Sequence, residues 1–227
     1  MSVVTKIPYL TVTFRNAMSH RDIHLFRGAV LSKVPSDFVL FHNHVSDGFR
    51  YSYPLIQYKV VKGHAAIVCI GEGTEEIARL FQSQDFNFRI GDREELFEVD
   101  SVYGSTCVLQ IWDNLFKYKI SGWLPLNSEN YARYMKLEGV IERTQMLEDI
   151  MKANILSMLK GLGKHVDSEV KCRIIDIHSS RIYHFKNVMM QGFDVDFSSN
   201  VFIPNYFGLG KGTSLGFGVV KQNSNTI

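Results

Sequence analysis

The chain has 227 residues and a mass of 26.0 kDa, room for one large domain or two compact ones of about 110 residues each. With 45% hydrophobic and 21% charged residues it is neither disordered nor fibrous, and no apolar run approaches the roughly 18 residues of a membrane-spanning helix. The net charge of +2 hides an asymmetry: residues 1–115 carry 11 Lys and Arg against 13 Asp and Glu, whereas residues 116–227 carry 14 against 10, a balance compatible with a polyanionic partner for the second half.

In chain order, Ile7–Phe14 alternates apolar and polar side chains and predicts a strand. A helix follows over residues 20–34, capped by Ser19, with Ile23, Phe26, Ala29 and Val30 on one face and Pro35 ending it. Tyr53–Val61 and Ala65–Gly71 read as a hairpin turning at Lys62-Gly63-His64, and Thr74–Gln82 as a short helix capped by Thr74. Phe86–Ile90, Leu96–Val99 and Val102–Trp112 read as further strands. This order is the ferredoxin-like βαββαβ plan, and it fills residues 1–115. The second half, 116–227, begins again with a strand at Tyr118–Trp123. Helical sequence then runs to about Leu162, broken near Gly139. Strands follow at Val170–His178, Arg181–Phe185 and Val188–Asp196, the first two joined by Ser179-Ser180. The expected fold class is α+β, two ferredoxin-like domains in tandem, without a linker between them.

No basic stretch followed by an apolar core opens the chain, so no secretory signal is read. Cys69, Cys107 and Cys172 are odd in number and far apart, which predicts buried thiols in a cytoplasmic protein.

Two segments carry chemistry. The first is the tail, NYFGLGKGTSLGFGVV, which places Gly208, Gly210, Gly212, Gly216 and Gly218 within eleven residues. Glycines let backbone amides approach a ligand closely, so such a loop can offer N–H groups to phosphate oxygens, with Lys211 adding a cation. It is not an NTPase phosphate loop, because Lys211 is followed by Gly212 instead of Ser or Thr. Nor does any Gly-x-Gly-x-x-Gly occur in it, so the dinucleotide fingerprint is absent. A flexible hairpin before the last strand is the competing reading.

The second segment is Phe41-His42-Asn43-His44. In extended backbone its two imidazoles face the same side. Lys33 lies nine residues before His42, and Tyr51 seven after His44. Two imidazoles, a phenol and an ammonium suit metal-free RNA scission. One group takes the 2′-OH proton, another protonates the departing 5′-oxygen, and a cation stabilises the phosphorane-like transition state. Ligation of a metal by His-x-His and a loop without chemical role remain alternatives. His20 and His24 share a helix face that reads as solvated, while His64, His165, His178 and His184 show no partner pattern.

On these residues the chain resembles the CRISPR-associated endoribonucleases that cut repeat transcripts into guide RNAs, a branch of the repeat-associated mysterious protein superfamily. Gly-apolar-Gly, five residues, Gly-apolar-Gly is that superfamily's signature, matched from Gly208 to Gly218. Lys33, His42, His44 and Tyr51 resemble the catalytic set of a subtype with two histidines after the first helix. The resemblance implies cleavage without metal or cofactor, leaving a 2′,3′-cyclic phosphate and a 5′-hydroxyl. It implies repeat RNA as partner, held along a basic face that includes Arg181, Lys186 and Lys211. It also implies product retention within an interference complex, while a second copy of the chain remains open as a partner. The alternative of the same class is a non-catalytic RNA-binding scaffold subunit; a protein-interaction module unrelated to RNA is the alternative from another class.

Overall fold

The computed structural model describes residues 5–35, 38–42, 44–45, 48–49, 53–82, 85–185 and 188–223. The chain forms two compact units. One comprises Lys6–Cys107 with Ser214–Gly216; the other comprises Met1–Thr5, Val108–Thr213 and Phe217–Ile227.

In the N-terminal unit, β1 (Thr5–Ala17), α1 (Ile23–Lys33), β4 (Ile56–Val61), β5 (His64–Ile70), α3 (Gly73–Gln82) and β8 (Val99–Leu109) give the βαββαβ order. The sheet order is β4-β5-β1-β8, with β1 antiparallel to β5 and β5 to β4. That is the ferredoxin-like arrangement. Three short elements lie between α1 and β4: α2 (Val39–His42), β2 (His44–Val45) and β3 (Gly48–Phe49). A hairpin, β6 (Asn87–Ile90) and β7 (Arg93–Leu96), precedes β8, so the strand expected at Leu96–Val99 is displaced to Arg93–Leu96. The core is aromatic. Phe26 of α1 stacks on Phe97 at 5.2 Å and meets Phe14, Tyr58 and Phe88 edge-on. Ser19 does not cap α1. Asp22 occupies the N-cap without a side-chain bond, and the Ser19 hydroxyl accepts instead from the Arg21 N–H in the preceding turn. Lys62 and Gly63 both adopt positive φ, making the tight turn read from the sequence.

The C-terminal unit comprises β9 (Ile111–Trp123), α4 (Ser128–Lys136), α5 (Val140–Gly161), β10 (Cys172–Phe185), β11 (Val188–Val201) and β12 (Val219–Gln222), in the order β10-β11-β9-β12. The strands follow the same plan as in the N-terminal unit, but 202–218 holds turns where the second helix of the plan would stand. Leu147, Met151, Ile155, Met158 and Leu159 of α5 are buried, as are Tyr118, Ile120, Val195, Phe197 and Val220 of the sheet. Ser179-Ser180 is not a turn. β10 runs unbroken through it, with register shifts between Ile174/Asp176 and Ile177/Ser179. Those bulges absorb the interrupted alternation that reads as two strands.

All three cysteines are buried and unpaired. Burial raises the thiol pKa of Cys107 to about 11 and of Cys172 to about 12. No helix among the described residues is long and apolar enough to cross a membrane.

Candidate functional site

The histidine segment hangs from the N-terminal core. Leu40 and Phe41 are buried and anchor α2, whose start is set by the Phe41 N–H bonding to the Phe38 carbonyl at 3.1 Å. The Arg79 guanidinium of α3 stacks over the Phe38 ring at 4.6 Å, tying α3 to the entry of α2. His42 closes α2 and His44 opens β2, where it pairs with Phe49. The two residues therefore straddle a helix-to-strand change instead of lying in one extended run. Their side chains, and Tyr51 altogether, lie outside what the structure describes.

Lys33 sits in the last turn of α1. Its ammonium is 2.5 Å from Asp85 Oδ2, while Asp85 Oδ1 accepts the Asn87 N–H at 3.1 Å. The carboxylate is thus fixed at the entry to β6, and Lys33 with it. The bond from Lys33 and the Asn87 N–H hold the Asp85 pKa below the usual carboxylate value. Asp85 has no motif around it that marks it in the sequence.

The glycine-rich segment is stapled into the C-terminal unit. The Leu209 N–H donates to the Gly218 carbonyl at 2.9 Å, Gly218 N–H to Gly122 at 3.0 Å, and Phe217 N–H to Gly212 at 3.3 Å. At Gly218, φ is +60° and a Cβ would collide with the Leu209 carbonyl oxygen. At Gly210 a Cβ would lie 2.9 Å from the Trp123 ring and 3.0 Å from Asn154 Oδ1, which accepts the indole N–H at 2.9 Å. These two glycines are required by close approaches within the fold, a reason distinct from ligand approach. Phe217 meets Tyr183 and Phe185 edge-on, both at 5.6 Å, and the Lys211 ammonium lies 5.5 Å from the Phe185 ring centre. Ser214–Gly216 group with the N-terminal unit, where Leu215 forms a parallel bridge to Tyr58.

Arg181 lies on β10 and donates to Asp194 Oδ2 at 2.9 Å. Asp194 also accepts from Ser179 Oγ at 2.8 Å and from the Gly122 N–H at 2.7 Å. Because Gly122 in turn receives the Gly218 N–H, one carboxylate links Arg181 to the glycine segment. Lys186 lies outside the described residues. Asp85, Arg79 and Asp194 were not legible as site residues, since each acts through a partner distant in the chain.

With both segments in place, comparison with known proteins is decisive. Residues 5–106 match the Cas6b N-terminal domain family and residues 110–223 the Cas6b C-terminal domain family. The chain belongs to the Cas6b family. A crystal structure of Cas6b is similar over 96% of this chain and all of that one, with a TM-score of 0.88 and 29% identity. A second, described as a CRISPR RNA processing endoribonuclease Cas6b, covers the same shares with a TM-score of 0.75 and 26% identity. An uncharacterized protein of Methanocaldococcus jannaschii is 38% identical over 109 residues, 48% of this chain and 73% of that protein.

Proposed function

We propose that this Cas6b chain is an endoribonuclease that processes CRISPR repeat RNA into guide RNAs. The observation that carries the reading is the likeness over 96% of the chain to two Cas6b crystal structures, one of them described as a CRISPR RNA processing enzyme. The reaction is attack of a ribose 2′-OH on its own 3′-phosphate, leaving a 2′,3′-cyclic phosphate and releasing the 5′-oxygen as a hydroxyl. The nucleophile is tethered to its target, so catalysis consists of positioning, two proton transfers and charge stabilisation.

His42 and His44 act as the acid–base pair and Tyr51 as orienter or proton donor. Lys33 is the cation. An ammonium has three donors; one of Lys33's faces Asp85, and the others are available to a phosphate oxygen. Gly208, Gly210, Gly212, Gly216 and Gly218 shape the binding loop, with Lys211, Arg181 and Lys186 as phosphate contacts. Retention of the product in an interference complex, or association with a second copy, would use a further surface. Exposed Val140 and Ile141, beside a groove of about 610 Å³ between α4 and α5, offer one.

Labelled repeat RNA incubated in EDTA tests the chemistry. The expected result is cutting that persists in chelator and stops when the ribose upstream of the cut is 2′-deoxy. Cutting that requires added metal, or that survives the deoxy substitution, refutes this mechanism.

A further inference from the structure

The second face of the C-terminal sheet carries a lysine strip. On β9, Tyr118 and Ile120 point into the core, so Lys117 and Lys119, which alternate with them, point to the opposite face and are exposed. On β12, Val220 opposite Ile120 is buried, and the exposed Lys221 lies directly across from Lys119. Directly paired residues have Cβ atoms about 4.5–5.5 Å apart, and like charges there are destabilising. Across the other edge of β9, Asp196 faces Lys119 and Ser198 faces Lys117.

Asp196 forms no ion pair with either lysine. Its Oδ1 lies 3.0 Å from His178 Nε2, while His178 Nδ1 lies 3.0 Å from Asp176 Oδ2, so the carboxylate opposite Lys119 is drawn toward β10. Among the described residues, none of the three lysines comes within 4.0 Å of a carboxylate oxygen.

An aromatic ring borders the strip. The Lys221 ammonium lies 5.6 Å from the Tyr206 ring centre. Tyr206 has φ of 72°, an uncommon conformation for a bulky residue. The turn is clipped to β12 by the Tyr206 N–H on the Val220 carbonyl and by the Gln222 N–H on Asn205 Oδ1, both 2.7 Å. Lysines without a carboxylate partner beside a half-buried tyrosine ring match the chemistry of single-stranded nucleic acid, phosphates on cations with a base on an aromatic face.

We propose that Lys117, Lys119 and Lys221, with Tyr206, form a second track that holds the single-stranded RNA flanking the cut repeat. The proposal rests on the reading of the chain as an RNA-processing enzyme and adds to the glycine loop a binding surface on β9 and on the two segments that flank the loop, the Tyr206 turn and β12. The mutual repulsion of Lys119 and Lys221 is relieved when a phosphate lies between them.

The test compares wild type with the Lys117→Gln/Lys119→Gln/Lys221→Gln variant on two labelled RNAs, a repeat with a single-stranded flank and the same repeat without it. For the flanked RNA the log–log salt dependence should flatten by about 2, roughly 0.7 for each lost phosphate contact, with affinity roughly 10- to 50-fold weaker near physiological salt. Affinity for the bare repeat, and the single-turnover rate at saturation, should stay within about twofold, the spread that a surface substitution allows. The variant should melt no lower than wild type because a like-charge pair is removed; Lys119→Gln and Lys221→Gln alone should each flatten the slope by about 0.7. A charge-matched Lys136→Gln/Lys160→Gln/Lys164→Gln variant, off the sheet face, should not discriminate the two RNAs. Equal losses on both RNAs, no loss on either, or the same discrimination by the control would overturn the strip. Wild type that cuts the repeat while showing any of these outcomes leaves the enzymatic reading standing; wild type that neither binds nor cuts removes both.

Discussion

The two halves use one strand order to different ends. In the N-terminal unit the second crossover is a helix, α3, and the segment of His42 and His44, which we propose carries the chemistry, belongs to a set of short elements moored to the core by Leu40 and Phe41. In the C-terminal unit that crossover is the glycine segment, held by backbone bonds from Leu209, Phe217 and Gly218. A site held by buried side chains is lost through cavities. A site held by backbone is lost through added atoms. With the proposed roles of the two segments, this contrast separates chemistry from grip and predicts what kind of substitution harms each.

The largest effect is expected in the N-terminal unit. Phe41→Ala removes a ring that is 2% exposed and should cost about 3–5 kcal/mol, read as a lowered denaturation midpoint. Cleavage should fall further than stability alone explains, because α2 carries His42. If Phe41→Ala cuts at the wild-type rate under folding conditions, side-chain mooring of the segment is wrong. Gly218→Ala comes next. The left-handed conformation and the collision with the Leu209 carbonyl should together cost about 2 kcal/mol or more, and RNA affinity should drop while the single-turnover rate at saturation holds. A larger loss in rate than in affinity would dissolve the contrast.

A third effect belongs to pH. Lys59 is fully buried, and burial pushes its ammonium pKa down to about 7, against roughly 10.4 for an unfolded lysine. Between those values the unfolded chain binds one proton more than the folded one. Stability contributed here therefore rises as pH climbs from about 7 toward 10, and is least below 7. Lys59→Met should flatten that rise in urea titrations of the intact chain; an unchanged slope contradicts it. The smallest effect is at Asp85. Asp85→Asn should lower the melting temperature only slightly near neutral pH, as expected of an exposed pair, and alter the cleavage rate about 2- to 5-fold through Lys33. Since the folded pKa of Asp85 is lowered, the pair's contribution is present above about pH 4 and fades as pH falls further.

Much of the fold is legible in the chain because short-range rules act on it. The turn at Lys62-Gly63, the break at Gly139 and the apolar face of α1 each announce themselves locally. β10 does not. Its bulges interrupt the alternation, and Ser179-Ser180 imitates a turn although Ser179 Oγ is spent on Asp194, 15 residues away. The same limit hides the partners of the site. Lys33 stands out as a basic residue at the end of a helix, yet its partner Asp85 lies 52 positions on. The glycines attract attention as a possible cradle, while the collisions that require two of them involve Leu209, Trp123 and Asn154. Spacing reveals which residues are chemically able; the fold decides which of them are already engaged.

The division of labour is tested most directly by measuring affinity and single-turnover cleavage on one protein, the His42→Ala/His44→Ala variant, with labelled repeat RNA. The account predicts a dissociation constant within about twofold of wild type and a rate constant at least about 10²-fold lower, the least that loss of one proton-transfer group should cost. A variant that still cuts at near the wild-type rate, or that fails to bind, would contradict it.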